Sequence, residues 1–223
     1  ITRAFSPPLF PIELTDTPAT VTFHDVPHEP WEIEGVRIEA TTVSHPGPTL
    51  GYRLSVNGAA LAYIPDHEPV LGVELADLEP EWISGHALAE HVDLLLHDCQ
   101  FSESEYLSRV GWGHSSVGHA VEFAQRAEAR RLVLFHHDPD RSDDGVDQLA
   151  ERARDLWGDD SGDAPVAASE GMTLDDVTAI STANPPAVSA KPIATTVRVP
   201  YRVAHFGTSG AEMTSPIVAG SVA

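Results

Sequence analysis

The sequence predicts an α/β fold, on three observations. Short apolar runs that read as strands end again and again in His, Asp or Gly, two segments of helical period each gather apolar residues on one stripe, and an Asn-Gly pair separates two strand-like segments. Strands that deliver polar side chains at their ends place them at a site, since backbones are rigid there and loops diverge.

The first 35 residues are proline-rich and open with Phe5-Ser6-Pro7-Pro8-Leu9-Phe10-Pro11, which reads as loop and edge material. Proline cannot donate to a ladder and restricts the residue before it. In residues 36–43, Val36, Ile38, Ala40 and Thr42 alternate with Arg37, Glu39 and Thr41 as in a half-buried strand, which ends at Ser44-His45-Pro46-Gly47. Residues 51–56 and Ala59–Ile64 flank Asn57-Gly58 as the strands of a hairpin, and the second runs out at Pro65-Asp66-His67-Glu68.

A loop with Pro69 and Pro80 and a short helix over 85–91 follow. Residues 93–97 then form a strand centred on Leu94, Leu95 and Leu96 that ends on His97 and Asp98. After Gly111-Trp112-Gly113-His114 comes a helix capped at Ser115 or Ser116, with Val117, Ala120, Val121, Ala124 and Ala127 on one stripe. Those residues are small, as expected of a helix packed closely on a sheet. The next run, 131–139, is a buried strand, Leu132-Val133-Leu134-Phe135, that breaks into His136-His137-Asp138-Pro139. Adjacent histidines point to opposite faces of a strand, so at most one of the two faces a given site. A helix capped by Ser142 with Val146, Leu149, Ala150, Ala153 and Leu156 inward, and a strand over 166–169, complete the pattern before Glu170-Gly171-Met172. Residues 1–172 thus read as one domain portion and 173–223 as a flexible tail with one possible strand within 195–203.

Composition narrows the function. The net charge is -21, with a single lysine, Lys191, among 13 basic residues against 34 acidic ones. Such a surface repels phosphate backbones, so an extended nucleic-acid surface is excluded, while a local arginine or a metal can still hold one phosphate. No apolar run approaches the roughly 20 residues of a spanning helix, which predicts a cytoplasmic protein without a membrane partner. Cys99 is the only cysteine, so any metal ligands are His and Asp. The chain opens on Ile1 rather than Met, and the expectation is that residues are missing upstream.

The order His45-Pro46-Gly47, then Tyr63-Ile64-Pro65-Asp66, then Asp93-Leu94-Leu95-Leu96-His97-Asp98, then Gly113-His114-Ser115-Ser116, then Leu132-Val133-Leu134-Phe135-His136 resembles the metallo-β-lactamase superfamily. Within it the pattern is similar to the ribonuclease Z-like phosphodiesterase branch. The resemblance covers roughly residues 5 to 172, and although each motif is short, the five together are specific.

The resemblance implies an α/β fold of the metallo-β-lactamase type, an αββα four-layer sandwich, here incomplete at the N-terminus. It implies metal ligands at His45, Asp66 and His136, with Asp66 bridging two divalent cations, Zn²⁺ foremost and Mn²⁺ or Fe as alternatives. His114 resembles the histidine that acts at the scissile phosphate, and Asp98 the acidic residue that orients it. The implied function is a metal-dependent hydrolase, a phosphodiesterase working through a metal-activated water on a small-molecule or short phosphodiester substrate, with homodimerisation left open. A hydrolase of a lactone, thioester or other carbonyl is the alternative enzyme, and an interaction module that keeps the fold is the alternative outside enzymes. The superfamily's His-x-His-x-Asp-His signature is missing, so the chain is expected to hold the second half of an active site. His24, His28, His67, His86, His91, His119 and His205 read as surface or helix histidines and Trp112 as a packing residue. Asp143-Asp144 and Asp159-Asp160 read as a solvated helix start and a turn.

Overall fold

The computed structural model describes residues 22–158 and 163–174, together with Asp16 and the backbone of Val197–Arg198. Seven strands lie side by side in sequence order: β1 (Trp31–Ile33), β2 (Val36–Thr42), β3 (Leu50–Val56), β4 (Ala59–Ile64), β5 (Leu94–Asp98), β6 (Leu132–Phe135) and β7 (Val166–Ala167). From β1 to β4 neighbours are antiparallel, and from β4 to β7 they are parallel. The change of sense follows the connections, since short links join the antiparallel neighbours and parallel ones need a long crossover.

Two of those turns carry the signature of a twist-matched hairpin, with both central residues left-handed: Asn57 (φ 52) with Gly58 (φ 84), and Glu34 (φ 51) with Gly35 (φ 81). The first is the hairpin expected from Asn-Gly. The second adds a three-residue edge strand, β1, to the stretch read as loop and edge material.

The crossovers hold four helices, α1 (His86–Ala89), α2 (Glu103–Tyr106), α3 (Val117–Arg126) and α4 (Asp143–Trp157). Ser116 caps α3 by accepting from the His119 amide, and Ser142 caps α4 by accepting from that of Gly145. Asp143 and Asp144 are exposed in the first turn of α4, as expected of a solvated helix start. Helix α2 has a full capping box between Ser102 and Glu105 but is only four residues long, too short for any hydrophobic period to announce it.

Each face of the sheet has its own core. On one, Ala62, Ile64, Leu95, Leu132 and Leu134 pack with the α3 stripe of Val117, Ala120, Val121 and Ala124 and with Leu149, Ala153 and Trp157 of α4. On the other, Leu94, Leu96 and Val133 join Leu61, Tyr63, Phe135, Met172 and Leu174. All five residues of β5 are buried, which is why that strand reads as an unbroken apolar run rather than an alternation.

Thr173–Leu174, assigned from sequence to the tail, forms β8 and pairs antiparallel with β9 (Val197–Arg198), inside the segment where one strand was expected. The rest of residues 175–223, with His205, and the Asp159-Asp160 pair lie outside the described residues. The architecture is the α/β class expected, a mixed sheet layered with helices.

Candidate active site

The ends of β4, β5 and β6 are level, because parallel pairing sets Ile64 opposite His97 and Asp98 opposite Phe135. Asp66 therefore emerges two residues past β4 beside Asp98, the last residue of β5, and His136, the first after β6. His136 turns off its strand in the left-handed region (φ 58), a conformation uncommon for any residue but glycine, and its Nε2 lies 3.2 Å from Asp66 Oδ1. His45 comes from the loop after β2, which lies two strands from β4 and ends at the same edge of the sheet. Its loop is tied down by the Glu68 amide on the Ser44 carbonyl (3.0 Å) and the Ser44 amide on Ser84 Oγ (2.7 Å).

His114, just ahead of α3, sits between the two other histidines. Its ring centroid is 5.2 Å from that of His45, edge to face, and 4.9 Å from that of His136, stacked. Donor atoms of His45, Asp66 and His114 lie within 4.8 Å of one another, as do those of Asp98, His114 and His136. Imidazole nitrogens with a carboxylate are the donors zinc takes, and these groups lie at the spacing that one ion spans. His45 is also oriented as a ligand would be: Thr49 Oγ1 holds its Nδ1 at 3.0 Å and so leaves Nε2 for the site. Burial, with His114 close by, lowers the His45 pKa and keeps it neutral, the form that binds metal.

Asp98 is different, although its position would let it join such a group. It is fully buried, and each of its oxygens already accepts two hydrogen bonds. Oδ1 accepts from the amides of Gln100 (3.1 Å) and Ser115 (3.0 Å), and Oδ2 from the amide of His67 (3.1 Å) and His114 Nδ1 (2.7 Å). Burial pushes its carboxyl up, but a proton would have to displace one of four donors, so the ionised form is the one its surroundings support. Four hydrogen bonds thus occupy the two oxygens of Asp98. Burial pulls the His114 pKa down, yet the hydrogen bond and charge of Asp98, helped by Asp66 and Glu68, raise it on balance.

Residues 4–137 match the family model described as the Beta-lactamase superfamily domain. The chain belongs to the metallo-β-lactamase superfamily. Among curated relatives it is 31% identical over 160 residues to ribonuclease Z of Kineococcus radiotolerans, covering 58% of this chain and 50% of that one. It is 36% identical over 98 residues to ribonuclease Z of Salinibacter ruber, covering 44% of this chain and 26% of that one. The chain spans half of the length of these curated relatives or less. Among solved structures it resembles the metallo-β-lactamase fold protein YhfI from Bacillus subtilis, with a TM-score of 0.48, 20% identity, and coverage of 64% of this chain and 50% of that one.

In this superfamily member the five residues singled out from sequence, His45, Asp66, Asp98, His114 and His136, stand together. The fold also corrects two readings. His67 is not a surface or helix histidine. It is fully buried, its Nδ1 is 2.9 Å from His97 Nε2, and both rings pack on Phe123. Trp112 is not a packing residue, being 60% exposed. His86 and His119 lie on helices and His24, His28 and His91 are exposed, as expected.

The residue sequence reasoning passed over is Glu68. Its buried carboxylate accepts from the amides of Gly111 (2.8 Å) and Gly113 (2.7 Å) and from the Tyr106 hydroxyl (2.7 Å), which pins the loop that carries His114. The signal available was an acidic residue between His67 and Pro69 at a strand end, paired with a distant Gly-Trp-Gly. No helix among the described residues is long and apolar enough to cross a membrane.

Proposed function

We propose that this protein is a metal-dependent phosphodiesterase in which His114 is the general acid. The observation that carries this is the 2.7 Å hydrogen bond from His114 Nδ1 to the fully buried Asp98, beside the cluster of His45, Asp66 and His136. Asp98 fixes the ring so that Nε2 is the nitrogen left to face the site, and the raised pKa keeps it protonated closer to neutral pH. His45, Asp66 and His136 would hold the metal, with Asp66 reaching toward both histidines. Divalent ions bound there, zinc first among them on donor type, would neutralise a phosphate and make water more acidic. As the oxygen of water bonds to phosphorus and gives up its proton to solvent, the bond from phosphorus to the leaving oxygen would break and His114 would give its Nε2 proton to that oxygen, the Asp98 carboxylate steadying the imidazolium before transfer.

The ribonuclease Z names of the curated relatives support phosphodiester cleavage over the carbonyl alternatives. The charge of -21 favours a short substrate over a long polynucleotide. The test is hydrolysis of bis(p-nitrophenyl) phosphate with added Zn²⁺ or Mn²⁺, alongside metal content by mass spectrometry. His114→Ala is expected to lower kcat by about 10²–10⁴ with metal content nearly unchanged, whereas Asp66→Ala loses both. If His114→Ala strips the metal, His114 is a ligand and the assignment of the acid is wrong.

A further inference from the structure

The Trp112 side chain is the most conspicuous feature that the proposed chemistry does not use. Trp112 is 60% exposed, and Leu107 at 80% and Val110 at 45% are exposed on the same loop. A large apolar side chain left in water on a floppy loop would fold back onto the surface, but this loop is held. Glu68 grips the amides of Gly111 and Gly113, one on each side of Trp112, and both glycines take left-handed conformations (φ 85 and 89) that favour this residue type. Gly113 lies so close to His45 that a Cβ on it would overlap the imidazole, and His114 follows directly. The indole is thus presented at a defined place, two residues from the candidate acid and one from a residue in contact with a candidate ligand.

A cation accompanies it. The Arg109 guanidinium lies 5.9 Å from the Trp112 ring centroid and 5.0 Å from that of Phe101, which in turn meets His114 edge-on at 6.1 Å. Arg109 donates from Nη1 to the Glu105 carbonyl (3.0 Å), and no carboxylate among the described residues is within ion-pair distance of it. In a chain of charge -21, a guanidinium without a carboxylate partner beside an open indole and a candidate active-site histidine is a matched set. The indole offers a π face and the guanidinium a fork for a phosphate oxygen.

We propose that Trp112 and Arg109 form a specificity platform on the His114 side of the site, where the indole stacks on the base of a short nucleotide phosphodiester and Arg109 meets its phosphate. That the ligand is a phosphodiester rests on the phosphodiesterase reading above; the platform itself rests on the held loop and its exposed ring. A short substrate follows from the charge, since tracking a long polynucleotide needs a row of cations and the surplus here is acidic.

The test is calorimetric binding of a dinucleotide analogue with a CH₂ in place of the bridging ester oxygen, against its abasic counterpart. The protein is expected to bind the base-bearing analogue about tenfold or more tightly than the abasic one. Trp112→Ala should erase that preference and Trp112→Phe keep most of it, while Arg109→Ala weakens both ligands alike. Equal affinity of the wild-type protein for the two analogues, or a preference that survives Trp112→Ala, overturns the platform. A long single-stranded RNA bound more tightly than the dinucleotide, with a steep salt dependence, overturns the assignment to a short substrate. Turnover of the parent diester is followed in parallel. A base preference in binding with no turnover upholds the platform and sinks the phosphodiesterase reading, and turnover with no base preference does the reverse.

Discussion

Replacing Asp98 by Asn keeps the shape of the side chain and removes half of what it does. Each carboxylate oxygen accepts two N–H groups, so either orientation of the amide points its NH₂ at two donors: the His67 amide and His114 Nδ1, or the amides of Gln100 and Ser115. Hydrogen bonds to a charged group contribute roughly 1.5–3 kcal/mol each, so losing two costs about 3–6 kcal/mol. Relief from burying a charge, which the full burial of Asp98 makes appreciable, offsets part of that. A net loss of about 3 kcal/mol is expected, or about 6–12 °C in Tm for a unit of this size. Differential scanning calorimetry reads the shift, and urea unfolding with an unchanged m-value shows that the mutation acted on the native state. The pH dependence adds a second check. His114 has a raised pKa because of Asp98, so the ion-pair share of the difference between wild type and variant is fully present below about pH 6.5 and fades as pH rises through the raised value. A variant that melts within about 2 °C of wild type would refute the view that Asp98 ties the segments of His67, Gln100 and His114-Ser115 together.

Acid should unfold the protein early. Burial lowers the pKa of His67 and pulls that of His97 down to about 4, so their stabilising effect is complete above about pH 6.5 and is lost as pH falls toward about 4. His97 alone should cost about 2–3 kcal/mol by pH 4.5, and urea titrations of wild type and His97→Gln that show the same pH slope would count against this. Two neighbouring glycines should respond unequally to alanine. Gly111 has open space and only its positive φ to lose, about 1 kcal/mol, whereas a Cβ at Gly113 would overlap Pro46 and His45, for a loss above about 3 kcal/mol and weaker zinc binding by calorimetry. Similar melting points for the two variants would contradict the packing described. Arg141→Ala should matter less as the solution is acidified. Burial raises the Glu105 pKa, but the 2.7 Å bond from Arg141, with Ser102, brings it to about 2, so the pair stabilises above about pH 4.5 and fades toward about pH 2. As Glu105 is 37% exposed, the pair is worth only about 1 kcal/mol after screening, and a deficit at pH 7 that persists unchanged at pH 3 would argue against it.

Much of the site was legible in the sequence because it is built on strand ends. An apolar run that breaks into His136, or into His97 and Asp98, announces both a buried strand and the groups at its tip, and both properties are local. The Asn57-Gly58 turn, the Ser116 and Ser142 caps and the small-residue stripe of α3 are local in the same way: each depends on a residue's own dihedral preference or on partners within a turn of chain.

What the tertiary structure alone decided depends on partners 30 to 45 positions apart. Glu68 became an anchor because Gly111 and Gly113 lie 43 and 45 residues downstream, and His67 became a core residue because His97 meets it across 30. Nothing in Pro65-Asp66-His67-Glu68-Pro69 separates the carboxylate that faces the cleft from the one sealed behind it. Both are acids on one turn, and only the packing of that turn against the Gly-Trp-Gly loop selects which desolvated group finds enough N–H donors to stay buried. The sequence by itself determined which chemical groups reach the strand ends. Whether each of them faces the cleft or supports it was settled by hydrogen-bond partners that only folding brings within reach.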